Sequence, residues 1–147
     1  MGQLRQLVKS SLEAALPEQA MLTRGRRLRS NDGAERPAQC AISLTFDDGP
    51  HPEFTPQLLD NLATADIKGT FFIVGEKAER HPDIVKRIAD EGHEIGNHTW
   101  THSEPRETSS KTFRDEVART NDLIFDLTGQ QCRLTRPPKG ELSPGKI

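Results

Sequence analysis

The sequence LTFDDGP at residues 44–50 places two adjacent carboxylates, Asp47 and Asp48, between an apolar run and a Gly-Pro turn. A second stretch, GNHTWTH at residues 96–102, contains two histidines at i, i+4 spacing. This spacing allows one helical turn or a tight loop to direct both imidazoles at a single point. One carboxylate and two imidazoles can hold a divalent metal and leave positions open for water. The two stretches therefore predict a metal centre, in which the second carboxylate is free to act as a base.

Segments with strand-like and helix-like patterns alternate from residue 40 onward. Strands are predicted at residues 41–46, 70–74, 93–97 and 131–136. Helices are predicted at about residues 55–65, 81–92 and 109–129, and a further helix is expected to begin at Ser143. Because strands and helices alternate, the pattern predicts an α/β fold with a parallel sheet and right-handed crossovers.

The chemically active side chains fall at the carboxyl ends of these predicted strands, where such folds place their sites. Asp47 and Asp48 follow the first strand, residues 98–102 follow the third, and Arg136 ends the fourth. Taken alone, the acidic motif also fits an ordinary turn, and paired histidines also fit a polar surface. The convergence of three strand ends on one edge favours a shared site over these two interpretations.

Length and composition limit the class of protein. The chain has 147 residues, of which 33% are hydrophobic, and its mean hydropathy is -0.69. This fraction of hydrophobic residues is low for a single packed core, so we expect one domain or part of a larger domain. No apolar run has membrane-spanning length, and the N-terminus lacks the apolar core of a secretory signal. The sequence in itself therefore predicts a cytoplasmic protein, whereas a cell-envelope or secreted protein is expected if an export signal is missing.

The two cysteines, Cys40 and Cys132, are too few for a disulfide framework and are interpreted as small buried thiols.

The N-terminal part of the chain differs from the rest in its residue pattern and composition. Apolar residues at helical spacing predict a peripheral helix over residues 3–16, and residues 23–38 have the composition of a linker. The expected organisation is a helix and basic linker at residues 1–38, followed by one domain at residues 39–147. The basic run at residues 24–29 contains no aromatic residue, so it is interpreted as a solvated segment and nucleic-acid binding is not expected.

Four short stretches carry a family resemblance. They are TFDDGP at residues 45–50, GTFF at 69–72, GHEIGNHTWTH at 92–102 and RPP at 136–138. In this order they resemble the first half of a NodB-like polysaccharide deacetylase domain, of carbohydrate esterase family four. The resemblance implies a distorted (β/α) barrel that is truncated after about four strands. It also implies metal-dependent hydrolysis of N-acetyl groups from amino-sugar polymers or oligomers such as chitin or peptidoglycan, so an N-acetylated saccharide is the expected partner.

The resemblance also assigns roles to individual residues. Asp48, His98 and His102 would ligate a divalent metal, with Zn²⁺ expected first and Co²⁺, Ni²⁺ or Mn²⁺ as alternatives. Asp47 would be the general base, and Arg136 would hold and orient its carboxylate. These two residues form the expected catalytic pair.

Three further residues are expected near the substrate. Pro138 and Lys139 follow the RP motif, and the backbone N–H of Lys139 would help to bind the oxyanion. The family usually has an aromatic residue at the position of Lys139, so the aromatic wall of a sugar subsite is missing there. Trp100 is interpreted either as a loop anchor or as a face on which a sugar stacks.

The family pattern also includes a later histidine that acts as general acid, in a Leu-x-His context. No histidine follows His102 in this sequence. We therefore expect weak or absent turnover, and two alternatives stay open. One is a truncated, non-catalytic remnant that binds metal or saccharide, and the other is an amidase on small non-sugar amides.

Overall fold

The computed structural model describes residues 21–24 and 42–140, and these form an α/β fold around a four-stranded sheet. The strands are β1 (Met21–Arg24), β2 (Ile42–Gly49), β3 (Thr70–Ile73) and β4 (Glu94–Asn97), and they lie side by side in that order. Strands β2, β3 and β4 are parallel, and β1 is antiparallel to β2. Within the described residues the sheet stays open, so the prediction of a truncated barrel with a parallel sheet is confirmed.

Helices connect the parallel strands. They are α1 (Phe54–Thr64), α2 (Gly75–Arg80), α3 (Pro82–Asp90) and α4 (Ser110–Thr128). Helix α4 begins where the Ser109 hydroxyl accepts a hydrogen bond from the Thr112 N–H at 3.0 Å, and it ends at Gly129 with φ 70°. The sequence predicts Ser109 or Ser110 as the N-cap and Gly129 as the end of this helix, and the structure has Ser109 and Gly129. Helix α2 was not predicted, because its six residues are too few to show a helical repeat of apolar side chains.

The fourth predicted strand, residues 131–136, forms only an isolated parallel bridge in which Thr135 pairs with Asn97. The Asn97 N–H donates to the Leu134 carbonyl at 2.8 Å, and the Arg136 N–H donates to the Asn97 carbonyl at 2.9 Å. Two consecutive prolines follow at residues 137 and 138 and offer no N–H to extend the ladder. The prediction of a full strand is therefore wrong, but the segment still lies beside β4.

Several expectations concern the N-terminal part. Thr23 and Arg24, which open the predicted linker, belong to β1 and pair with Ser43 and Ile42. The expected helix at residues 3–16, the rest of the linker, Cys40 and the helix start at Ser143 lie outside the described residues. Cys132 is a free thiol and is half-buried rather than buried.

One apolar cluster joins the sheet to α1, α3 and α4. Its largest fully buried side chains are Leu59, Ile73, Val85, Ile88 and Ile124. Because β2, β3 and β4 are parallel, this core holds their carboxyl ends along one edge of the sheet. Among residues 21–24 and 42–140, no helix has the length and apolar character needed to span a membrane.

Candidate metal centre

The two adjacent aspartates occupy an irregular end of β2. In a regular strand, neighbouring side chains point to opposite faces. The register between β2 and β3 shifts between Phe46 and Gly49, and Asp48 has the positive φ of 65°. Such a bulge re-aims side chains at the end of a strand. As a result, Asp47 contacts Arg136 while Asp48 faces the two histidines.

Asp48, His98 and His102 meet at the carboxyl ends of β2 and β4. The Asp48 Oδ1 lies 2.9 Å from the His102 Nε2 and 3.2 Å from the His98 Nε2. The three potential ligand atoms all lie within 4.8 Å of one another, and the two imidazole centroids are 5.0 Å apart. The fold therefore brings one carboxylate and two imidazoles, which are remote in the sequence, to a single point.

The orientation of His98 is set by the backbone. Its Nδ1 lies 2.6 Å from the Arg136 carbonyl oxygen. Since a carbonyl oxygen only accepts, Nδ1 carries the proton, and in the neutral ring the Nε2 lone pair is directed at Asp48. Burial lowers the pKa of His98 from its ordinary value of 6.5, against the opposing hydrogen bond to Arg136. A neutral imidazole with a fixed tautomer is the form that ligates a metal.

The donor set fits a divalent cation. The Asp48 Oδ1 is buried without a hydrogen-bond partner, although two imidazole nitrogens lie close to it. For His98 the facing nitrogen carries a lone pair, and lone pairs directed at a carboxylate repel unless a cation lies between them. Ligand bonds of ~2.0–2.1 Å give tetrahedral edges of about 3.3 Å. The two separations between Asp48 and the histidine nitrogens, 2.9 and 3.2 Å, are close to that edge.

Asp47 and Arg136 form a separate pair next to this cluster. The Arg136 Nη1 donates to the Asp47 Oδ1 at 2.6 Å and to the Thr45 hydroxyl at 3.1 Å. The guanidinium also lies over the Phe72 ring, 4.0 Å from its centroid. The two side chains are only 22% and 15% exposed, so the carboxylate is held in one orientation by a charge-assisted bond.

The residues expected near the substrate have different environments. Pro138 is buried, and Lys139 is exposed in the 3-10 turn Pro138–Gly140 with φ 58° and pairs with Glu104. Trp100 is only 5% exposed, and the Arg119 guanidinium lies 3.5 Å from its ring centroid. Of the two interpretations of Trp100, the burial of its ring and its contact with Arg119 favour the loop anchor over the sugar-stacking face.

Some residues that shape the site were not predicted. The Lys77 ammonium donates to the Asp48 backbone carbonyl at 2.8 Å. The Asn97 amide donates to the Val117 carbonyl at 2.8 Å and to the Asn121 side chain at 2.7 Å. Lys77 lies outside the quoted motifs, and Asn97 lies within GNHTWTH at residues 96–102 but was assigned no role there. The position of Asn97 beside His98 is the one signal that could have singled it out, whereas Lys77 has no such signal because its partner is distant in the sequence.

Comparison with known proteins places these features in a family. A model of the polysaccharide deacetylase family matches residues 34–146. The peptidoglycan-N-acetylglucosamine deacetylase of Bacillus cereus is 46% identical over 106 residues, which are 72% of this chain and 38% of that protein. The chain thus spans less than half the length of this relative.

Solved structures agree with this similarity. The structure of the Bc1960 peptidoglycan N-acetylglucosamine deacetylase matches with a TM-score of 0.69 at 44% identity, over 70% of this chain and 48% of that one. The Bacillus anthracis protein BA3943, described as a CE4 family pseudoenzyme, matches with a TM-score of 0.66 at 32% identity, over 70% and 37%. From the family match, the sequence identity and the shared fold, we conclude that this chain belongs to the polysaccharide deacetylase family.

Proposed function

We propose that this chain carries the metal-binding and base residues of an N-deacetylase that acts on N-acetylated amino-sugar polymers. The observation that carries the proposal is the convergence of Asp48, His98 and His102 beside the Asp47–Arg136 pair. Peptidoglycan N-acetylglucosamine is the first substrate to test, because it is the substrate named for the Bacillus cereus relative.

Asp48, His98 and His102 would hold the cation. Two neutral imidazoles and one carboxylate leave a net positive centre, and this ligand set suits Zn²⁺ first, with Co²⁺, Ni²⁺ or Mn²⁺ as alternatives. When bound, a divalent cation acidifies water and polarises an amide carbonyl. The buried Asp48 oxygen without a hydrogen-bond donor supports this assignment.

Asp47 is proposed as the general base. Its Oδ1 accepts from Arg136, which leaves the other carboxylate oxygen to take a proton from water as that water attacks the acetamide carbonyl. The backbone N–H of Lys139, which follows the buried Pro138, is proposed to donate to the developing oxyanion. Hydrolysis ends with acetate and an amine, and protonated Asp47 returns its proton to the amine nitrogen. Asp47 would then serve both proton transfers, first as a base and then as an acid.

A second candidate is a protein that binds metal or saccharide without turnover. It is favoured by the similarity to the Bacillus anthracis protein that is described as a pseudoenzyme. The metal centre is common to both candidates, so acetate release rather than metal binding separates them.

The test measures acetate released from N-acetylglucosamine oligomers and from peptidoglycan, with Zn²⁺ or Co²⁺ added. We expect Asp47→Asn to lower the rate by about 10²–10⁴-fold, the usual contribution of a general base. Asp122→Asn, an exposed carboxylate on α4, is the matched control and should retain the wild-type rate. Equal rates in wild type and Asp47→Asn would remove Asp47 as the base. Metal binding without acetate release would establish the second candidate.

A further inference from the structure

The loop that joins His98 to His102 is fixed along one side by α2. The carbonyl oxygens of Thr99 and Trp100 each accept a hydrogen bond at 3.0 Å from the backbone N–H groups of the first two residues of α2. The loop also contains two residues with positive φ, Thr99 at 67° and His102 at 61°. Side chains with a Cβ disfavour this conformation, so the surrounding contacts must hold it.

A single carboxylate holds the other side of the loop. The Glu116 Oε2, on α4, accepts hydrogen bonds from the backbone N–H groups of Trp100 and Thr101, both at 3.1 Å. The Glu116 Oε1 accepts from the Thr101 hydroxyl at 2.8 Å and from the Ser103 hydroxyl at 3.4 Å. Glu116 therefore contacts Trp100 and Thr101, which lie between the two histidines, and Ser103, which follows His102.

We propose that Glu116 is a positioning residue, which sets the separation and orientation of His98 and His102 by fixing the backbone between them. The inference rests on the proposed metal role of these two histidines. Charge-assisted bonds to backbone N–H groups are strong and directional, so they can hold the strained loop conformation in which both rings face Asp48. Removing a residue that orients metal ligands in this way typically weakens metal binding by about 10–100-fold.

The length and the charge of Glu116 make separable contributions. Glu116→Gln keeps the length and one carbonyl oxygen that can accept from both backbone N–H groups, while its NH₂ group can donate to the two hydroxyls. Glu116→Asp keeps the charge but is one methylene shorter, so it cannot reach the loop from the same helix. A positioning role therefore predicts that Gln is the better replacement, whereas a purely electrostatic role predicts Asp.

The experiment uses the full 147-residue chain with the variants Glu116→Ala, Glu116→Gln and Glu116→Asp. Asp115→Ala is the control, because Asp115 is the neighbouring exposed carboxylate on α4 and its ion pair with Lys111, at 3.1 Å, lies on the surface. Two quantities are measured: the Zn²⁺ and Co²⁺ dissociation constants by calorimetry, and amide hydrogen exchange at Trp100 and Thr101 in the presence of EDTA. We expect Ala and Asp variants to bind metal about 10–100-fold more weakly and to exchange these amides faster. Gln should recover most of the affinity, and the control should match wild type.

Several outcomes would overturn the proposal. One is that Glu116→Ala binds metal with the wild-type affinity. Another is that Glu116→Asp recovers more of the metal affinity than Glu116→Gln does. The third is that amide exchange at Trp100 and Thr101 in Glu116→Ala equals that in wild type. If the Ala variant does not fold, the order of the Asp and Gln variants decides. Failure of the proposed function gives a different result, because the wild-type chain would then bind no metal while the exchange measurement still reports on the contact between Glu116 and the loop.

Discussion

The Nδ1 of His98 lies 2.6 Å from the backbone carbonyl of Arg136, the residue whose side chain binds Asp47. Arg136 thus reaches both halves of the candidate site, one through its main chain and the other through its guanidinium. The main-chain contact does not depend on the side chain at position 136. Orientation of the histidine and orientation of the carboxylate can therefore be separated by mutation.

Arg136→Ala should lower the free energy of unfolding while leaving metal affinity nearly unchanged. Removing the guanidinium leaves the Asp47 carboxylate, whose side chain is 15% exposed, without its partner. Breaking a buried pair typically costs 3–5 kcal/mol, and because this pair is partly exposed we expect about 2–4 kcal/mol. Urea unfolding in EDTA measures the loss, and metal titration measures the affinity. Arg133→Ala, an exposed neighbour in the same segment, is the control. Loss of metal affinity equal to that of His98→Ala would contradict the separation.

Metal should stabilise the folded chain through the histidine pair. A ligand that binds only the folded state at roughly 100 times its dissociation constant adds about 2.7 kcal/mol to the free energy of unfolding. We expect Zn²⁺ to have this effect, EDTA to reverse it, and the His98→Ala, His102→Ala double variant to lack it. His81→Ala, a histidine outside the cluster, should keep the full effect. Thermal unfolding with and without Zn²⁺ provides the measurement, and equal stabilisation of the double variant would rule out these ligands.

Stability should fall on acidification because of His93, which is only 3% exposed and whose Nδ1 accepts from the Gly69 N–H at 3.1 Å. Burial, and next the charge of Lys68, lowers the pKa of His93 below its ordinary 6.5. The unfolded chain therefore binds more protons than the folded chain once the pH drops below 6.5. The contribution of neutral His93 to the free energy of unfolding is therefore present above pH 6.5 and is lost as the pH falls below it.

His93→Gln keeps an acceptor for the Gly69 N–H but does not titrate. Urea unfolding in EDTA at a series of pH values between about 7.5 and 5.5 should give a shallower loss of stability for this variant than for wild type. His98 has a pKa shifted in the same direction, so some slope should remain in the variant. Identical slopes in the two proteins would show that His93 does not contribute.

Gly96→Ala should destabilise the strand that leads into the histidines. A Cβ at this position would lie 2.5 Å from ring atoms of Phe72, which is 6% exposed and carries the Arg136 guanidinium on its face. Overpacking of this kind typically costs about 1–3 kcal/mol. The Phe72→Leu change removes the ring, so the double variant should lose less stability than the sum of the single variants. Wild-type stability in Gly96→Ala, or strict additivity in the cycle, would contradict this account.

Much of the fold followed from periodicity in the sequence. Three of the predicted strands and three of the predicted helices are present in the described residues, because apolar spacing and cap residues such as Ser109 and Gly129 are local signals. Helix α2 was missed since six residues show no period. Of the strand predicted at residues 131–136, only the bridge between Thr135 and Asn97 forms, and the prolines after Arg136 offer no N–H to extend it.

The sequence by itself determined the family, the α/β class and the residue types at the strand ends, because parallel strands must gather their carboxyl ends along one edge. Only the tertiary structure decided how those residues are arranged. It separated Asp47 from Asp48 through a bulge, buried Trp100 beneath Arg119, and placed Glu116 against the histidine loop. These relationships depend on contacts between residues remote in the chain, which leave no periodic or local trace in the sequence from which they could be read.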